Sequence, residues 1–222
     1  MDTTTATRSI VDALTKAIVE HRLHPGTKLA EQKLADHFGV SRTLVRQALF
    51  QLVQKRLIRM EPARGAFVAT PSSEEARQVF AVRRMLEAEM TRDFVRHADK
   101  AQIQALQAHV TQEKEAIQQG DIASRTDLLG DFHVRMAELT GNPVLGQILG
   151  ELISRCSLIT LMYQSDNAAE HSAQEHAAIL KAIVAKDEAL AVTLMESHLR
   201  HVEDSLTLDR KIPNNDIAMA LA

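Results

Sequence analysis

The chain has 222 residues, 45% of them hydrophobic and 25% charged, enough for one large or two modest domains that each bury a real core. An aromatic share of 3% with no tryptophan argues against large sheets and against stacking platforms for single-stranded nucleic acid. The net charge of −3 hides a basic head, +5 over residues 1–71, on a remainder of −8, so a polyanion partner is expected for the head alone.

No run reaches the roughly 18 consecutive apolar residues of a membrane span. The first residues lack the basic start and apolar run of a secretion signal. Cys156 is the single cysteine, so an intrachain disulfide is impossible. These features fit a cytoplasmic protein with no membrane partner.

Ile10, Leu14, Ala17 and Ile18 mark a first amphipathic helix, closed by Pro25 and Gly26 in HRLHPGTKL. Leu29, Leu34, Ala35 and Phe38 predict a short second helix, with Gly39 as its C-terminal stop. Ser41 is a good N-cap for a third, whose buried stripe is Val45, Ala48, Leu49, Leu52 and Val53. LIRME and GAFVA, separated by PARG, predict a β-hairpin. TPSSEEA (70–76) is the one domain boundary, and beyond it only helices are visible. They are predicted over about 73–97, 99–119, 121–140, 143–163, 168–185 and 187–207, with GNP (141–143) and AKDE (185–188) as the clearest breaks. Residues 208–222 form a tail without a partner pattern, which divides the chain into 1–71, 72–207 and 208–222.

Two short helices joined by a glycine turn describe a helix-turn-helix. The polar face of its second helix carries Arg42, Thr43, Arg46 and Gln47, grouped opposite the buried stripe. Arginine forks onto guanine O6 and N7 or clamps a phosphate, and glutamine pairs with adenine, so this face suits the major groove of double-stranded DNA. The hairpin is then a wing, with Arg64 and Gly65 at its tip beside the backbone or minor groove. A solvated face of an ordinary helix is the plain alternative.

The ordered motifs PG-x-x-L, LA-x-x-x-GVSRT, VR-x-AL and RGAFV, over residues 8–70, resemble the winged helix-turn-helix of the GntR family of bacterial transcription regulators. The resemblance implies DNA contacts from Ser41, Arg42, Thr43, Arg46 and Gly65. Gln32 stands where members often carry Arg, Leu44 where they carry Pro, and Gln47 where they carry Glu, so the operator sequence does not carry over. Gln32, Gln47 and Arg64 complete the candidate DNA-binding set.

In the helical body His133, His176 and His198 all lie on apolar faces. Asp187 lies 11 residues after His176 and 11 before His198, so a turn near it sets two antiparallel helices with their imidazoles at one depth. Imidazoles converging inside a bundle are natural ligands for Zn²⁺ or Ni²⁺. Three separately satisfied core histidines are the alternative. His171 and His201 are expected at the surface, although His201, a turn from His198, can substitute for it.

Residues 76–206 resemble the FCD subgroup of the same family, through R-x-x-x-E at 83 and 87, FH at 132–133, GNP, EH-x-x-IL-x-AI from Glu175, and HL at 198. The resemblance implies an antiparallel six-helix bundle that binds a divalent metal through His133, His176 and His198, together with a small carboxylate. The usual fourth ligand, an Asp four residues before the first histidine, is Leu129 here, and Asp127 and Asp131 face elsewhere on the helix. The implied site is a three-histidine one completed by water or by the effector, or one that holds metal weakly or not at all. Arg83 occupies the family's inward arginine position; its partner is either a carboxylate effector or Glu87 at i+4. Arg155, Ser157, Thr160 and Tyr163 lie on the helix that borders the pocket in the resemblance, and Arg155 and Tyr163 join Arg83 as effector candidates.

The expected fold is therefore mostly α, a winged helix-turn-helix with a small β-hairpin wing plus a six-helix bundle. The expected function is a non-enzymatic, effector-controlled transcriptional regulator, a repressor more often than an activator. A homodimer is expected on palindromic half-sites, because one short recognition helix reads only a half-site. The alternatives are an architectural DNA binder without ligand, and a hydrolase activating water on a histidine-bound Zn²⁺. For the latter Glu175 is the nearest base, but it points about 100° from His176 on the helix and no second acid is assembled.

Overall fold

The computed structural model describes residues 3–20, 22–119, 122–163 and 168–207, with side chains from residue 5 onward except those at 122–127 and 168–170. The head contains α1 (Thr3–Val19), β1 (Lys28–Leu29), α2 (Glu31–Phe38), α3 (Arg42–Gln54), β2 (Ile58–Glu61) and β3 (Gly65–Val68). Ile10, Val11, Leu14 and Ile18 recur at helical spacing on α1, and they share one core with Val45, Ala48, Leu49 and Leu52 of α3. Gly39 ends α2 in the left-handed region at φ 63°, and its N–H turns back to the carbonyls of Ala35 and Asp36. A side chain there would meet nothing within 4 Å, so the backbone angle alone selects glycine.

The sheet corrects one expectation. Leu29 belongs to a third strand, not to the second helix, and it pairs with Ala66 in an antiparallel sheet of order β1-β3-β2. The turn at Pro25 and Gly26 delivers the chain extended along β3, where the Gly26 N–H donates to the Val68 carbonyl at 3.0 Å and the Val68 N–H to the Thr27 carbonyl at 2.9 Å. Leu29 then buries its side chain in the head's core.

The bundle contains α4 (Ser73–His97), α5 (Lys100–Gln119), α6 (Ile122–Leu139), α7 (Pro143–Tyr163), α8 (Ala168–Val184) and α9 (Glu188–Asp204). Ser72 caps α4 by accepting from the Glu75 N–H at 3.1 Å, and Asp187 caps α9 by accepting from the Leu190 N–H at 3.0 Å. Between α8 and α9 the chain reverses through Lys186 at φ 55°. Phe80, Phe94, Phe132, Met136, Leu149, Ile179 and Met195 fill the shared interior. The predicted tail at 208–222 lies outside the described residues.

By length and composition α7 is apolar enough to cross a membrane. Here it is an interior helix that serves two cores. Cys156 and Ile159 pack into the bundle, while Leu158 points the other way into the core of the head, where α1 packs against α7. The end of α7 is also tied down, because the Tyr163 hydroxyl donates to the Pro71 carbonyl at 3.0 Å and the Tyr163 carbonyl accepts from the Thr207 N–H at 2.7 Å. Truncating the wholly buried Leu158 to Ala therefore opens a cavity at the joint. The expected cost is about 2–5 kcal/mol, with the head melting ahead of the bundle in differential scanning calorimetry; an unchanged single transition would show that Leu158 does not hold the two together.

Candidate functional site

The residues expected to read DNA lie at and along the exposed side of α3. Ser41, Arg42, Thr43, Arg46 and Gln47 are all exposed, and the buried stripe lies behind them. Glu31, at the start of α2, holds both arginines. Its carboxylate accepts from Arg42 Nη2 at 2.9 Å and, through both oxygens, from Arg46 Nε at 2.9 Å. These hydrogen bonds, that from Arg46 above all, hold the Glu31 carboxyl below its usual range. Gln32 donates to Asp36 at 2.8 Å on the outer face of α2, and Gln47 accepts from Thr7 of α1 at 3.4 Å.

On the wing, Gly65 opens β3 at φ 96° and Arg64 pairs with Glu61 at 2.5 Å. Sequence reasoning missed two further cations here. Lys28 and Arg59 are both in register with Phe67, and together with Arg64 they surround its ring at 6.0, 5.5 and 5.2 Å. Cross-strand pairing was the signal that would have found them.

Inside the bundle the three predicted histidines meet. Ring centroids of His133, His176 and His198 lie 4.7 to 5.3 Å apart, and one donor atom from each falls within 4.8 Å of the others. Each ring turns its Nδ1 toward a different carboxylate. His133 Nδ1 stands 2.5 Å from Glu87 Oε2, off the line of a good hydrogen bond; His176 Nδ1 lies 3.0 Å from Glu113, and His198 Nδ1 lies 2.7 Å from Glu175. An ionised carboxylate only accepts, so each Nδ1 carries a proton, and the Nε2 of a neutral ring is left with its lone pair. His176 Nε2 and His198 Nε2 consequently face one another at 3.3 Å. At that distance either a shared proton or a cation joins the two nitrogens. The separation also matches the edge of a tetrahedron with Zn–N bonds of about 2.0–2.1 Å.

The donor set thus fits a divalent metal, and its outer carboxylates are those that orient metal-bound imidazoles. Leu129 is half-buried and offers no donor, Asp131 is exposed, and the side chain of Asp127 lies outside the described residues. Arg83 is buried beside this site, with Nε donating to Glu87 Oε1 at 2.6 Å and Nη1 to Cys156 Sγ at 3.4 Å. Its Nη2 is buried and has no hydrogen-bond partner.

Residues 78–201, more than half of the chain, match the FCD domain, and residues 6–68 match the gntR family of bacterial regulatory proteins. The chain belongs to the GntR family. It is a DNA-binding transcription regulator with an FCD domain, not an enzyme. It is similar to the galactonate operon transcriptional repressor of Escherichia coli K12, with 30% identity covering 89% of this chain and 97% of that one. The transcriptional repressor RspR of the same organism is 24% identical over 90% of this chain and 88% of its own. The fold is shared with a GntR regulator from Rhodococcus sp. RHA1, with a TM-score of 0.80 at 22% identity, covering 90% of this chain and 96% of that chain.

Two further expected effector residues of this GntR regulator have partners within the protein. Arg155 turns toward the start of α4, where Nη2 meets Glu75 at 2.5 Å in a cleft of about 390 Å³ also lined by Arg56 and Val82. Tyr163 spends its hydroxyl on Pro71. Both contacts lie where α7 runs beside the start of α4, with the Tyr163 ring in the bundle's core. Conversely, Glu113 was not singled out, although it continues the buried stripe of Leu106 and Val110 on α5. A carboxylate at core spacing was the missed signal. His109, four residues before it, lies 3.5 Å from Glu113 and 2.9 Å from the Leu128 carbonyl; burial lowers its pKa, but these partners raise it on balance.

Burial, reinforced by the neighbouring Arg83 charge, lowers the pKa of His133 to about 4 against the pull of Glu87. Burial also takes His198 to about 3, with His176 adding to it and Glu175 opposing. Burial raises the Glu87 carboxyl, but Arg83 and His133 outweigh it and hold the group at about 2. Burial likewise raises Glu175, and its bonds to His198 and His201 bring it to about 2. Folded-state histidine pKa values below the ordinary 6.5 mean that the unfolded chain binds more protons between pH 6.5 and about 4. Stability of the metal-free protein is thus full above pH 6.5 and is lost as pH falls through that window, by about 1.4 kcal/mol per unit for each such histidine. Denaturation midpoints across pH 8 to 4 should show this fall, and His198→Gln should make it shallower; a flat profile would mean that the imidazoles are not held neutral.

Proposed function

We propose that this protein is a homodimeric cytoplasmic regulator whose operator affinity is set by a small carboxylate bound beside a divalent cation in the helical bundle. Residues 1–71 form the DNA-reading unit and 72–207 the effector and dimerisation unit. The carrying observation is the convergence of three buried imidazoles, two of whose Nε2 atoms face one another at 3.3 Å, with every Nδ1 beside a carboxylate. His133, His176 and His198 hold the cation, Zn²⁺ or Ni²⁺ by donor type. When bound, such an ion supplies a Lewis-acid anchor for an anionic ligand. Arg83 offers Nη2 to that ligand's carboxylate, since this donor alone on the guanidinium lacks a partner while Glu87 and Cys156 occupy the others. The name of the galactonate operon relative points to a sugar acid, in keeping with this chemistry.

The dimer reading rests on an exposed apolar stripe. Glu75 meets Arg155, and Val82 shares a cleft with Leu152, so α4 and α7 run antiparallel along this face. The same register leads on to Met85, Ile148 and Val144, all large, apolar and exposed. Pairing there would present two recognition helices to two half-sites.

Two measurements test the proposal. Titration of metal-free protein with Zn²⁺ alone should show tight binding that His133→Ala or His176→Ala removes. With Zn²⁺ present, a panel of sugar acids and hydroxy acids should raise the melting point of the wild type but not of Arg83→Lys, which keeps the charge and loses the fork. Unaltered Zn²⁺ binding in both histidine variants would sink the reading.

For the DNA-reading face, Arg46→Ala should weaken specific operator binding on the order of tenfold to a hundredfold at fixed salt, because a forked base or phosphate contact is lost. Its side chain is 60% exposed, so folding should be intact. Fluorescence anisotropy showing equal affinities would remove Arg46 from the recognition set.

A further inference from the structure

A second set of donor atoms stands at the rim of the bundle, outside the three-histidine cluster. His171 and Glu175 are one turn apart on α8, and His201 faces them from α9. His171 Nε2 lies 3.4 Å from Glu175 Oε1, and His201 Nδ1 makes a short hydrogen bond to the same oxygen. The three atoms all fall within 4.8 Å of one another. The two imidazoles are open to solvent, with side chains 64% and 54% exposed, whereas Glu175 is 17% exposed and fixed from behind by His198.

We propose that His171, Glu175 and His201 form a second, solvent-facing site for Zn²⁺ or a cation of similar ligand preference. Two imidazoles and one carboxylate are a ligand set that first-row metals use, with remaining positions left to water. Spacing supports it, because the i, i+4 pair on α8 sets two donors 3.4 Å apart, close to the roughly 3.3 Å edge that metal bonds of about 2.0–2.2 Å require. Binding replaces the proton that now joins His201 to Glu175. The ring moves to its Nε2–H tautomer and turns the Nδ1 lone pair to the ion, so no net proton is released from a neutral imidazole.

Glu175 makes this more than a surface chelate. Its Oε1 belongs to the rim set and its Oε2 accepts from His198 Nδ1 at 2.7 Å. One carboxylate therefore touches both clusters. A cation at the rim draws charge from it, weakens its hold on the His198 N–H and lowers the donor strength of His198 Nε2. The second ion should bind more weakly than the first.

The existence of the rim site does not rest on the inner one, and native mass spectrometry with calorimetry separates them. Full-length, tag-free, metal-free protein titrated with Zn²⁺ alone should take up one more ion per chain than the H171A/H201A double variant. Both positions are exposed, so the double variant should keep the wild-type circular dichroism and melting point. His133→Ala should keep the rim ion, and a single weak ion that only the double variant loses would support the rim site while removing the inner one. Equal uptake by the wild type and H171A/H201A overturns the proposal, whatever the inner site does.

Discussion

A helical bundle that buries charge has to answer each charge where it lies, and this constraint organises the whole effector half. Arg83 is 4% exposed and Glu87 and Glu113 are fully buried. Their desolvation is offset only by close partners, so α4, α5, α6, α8 and α9 must all arrive at one place with matching donors and acceptors. Three carboxylates and one guanidinium meet there around three imidazoles. The excess of carboxylates makes the centre receptive to a cation, and the guanidinium donor left over makes it receptive to an anion. The same interior is thus held together and kept ligand-hungry by one set of groups.

The joint between head and bundle follows from that centre. Arg83 touches Cys156 on α7, and Leu158, two residues further on the same helix, is embedded in the core of the head. A rigid helix cannot shift at one of these positions without moving the other. Contacts between packed side chains thus connect the arginine to α1, and through α1 to α3.

Much of this was legible in the sequence. Helices with a clear apolar stripe and a cap, such as α3 behind Ser41 and α9 behind Asp187, need no tertiary information to be placed. The convergence of His176 and His198 followed from their equal distance to Asp187. β1 was not legible, because a two-residue edge strand has no periodicity of its own and Leu29 fits a helical stripe equally well. Glu113 escaped for a different reason. It looks like an ordinary polar residue until the partner that it buries against is known, and that partner, His176, lies 63 residues away, whereas Glu87 was legible as the i+4 partner of Arg83. Arg155 and Tyr163 have partners at the start of α4, Glu75 and the Pro71 carbonyl, that the sequence pattern of α7 does not reveal.

Glu31 has a consequence for how the protein travels. Any basic face is retained on random chromosomal DNA by its phosphates alone, and the time spent there delays arrival at the operator. A carboxylate held 2.9 Å from Arg42 and Arg46 adds repulsion from phosphates along the whole duplex while fixing both guanidinium groups on the exposed face of α3. The head would thereby give up some hold on every sequence equally. It should therefore leave wrong sites sooner, so that the search is shortened at the expense of grip.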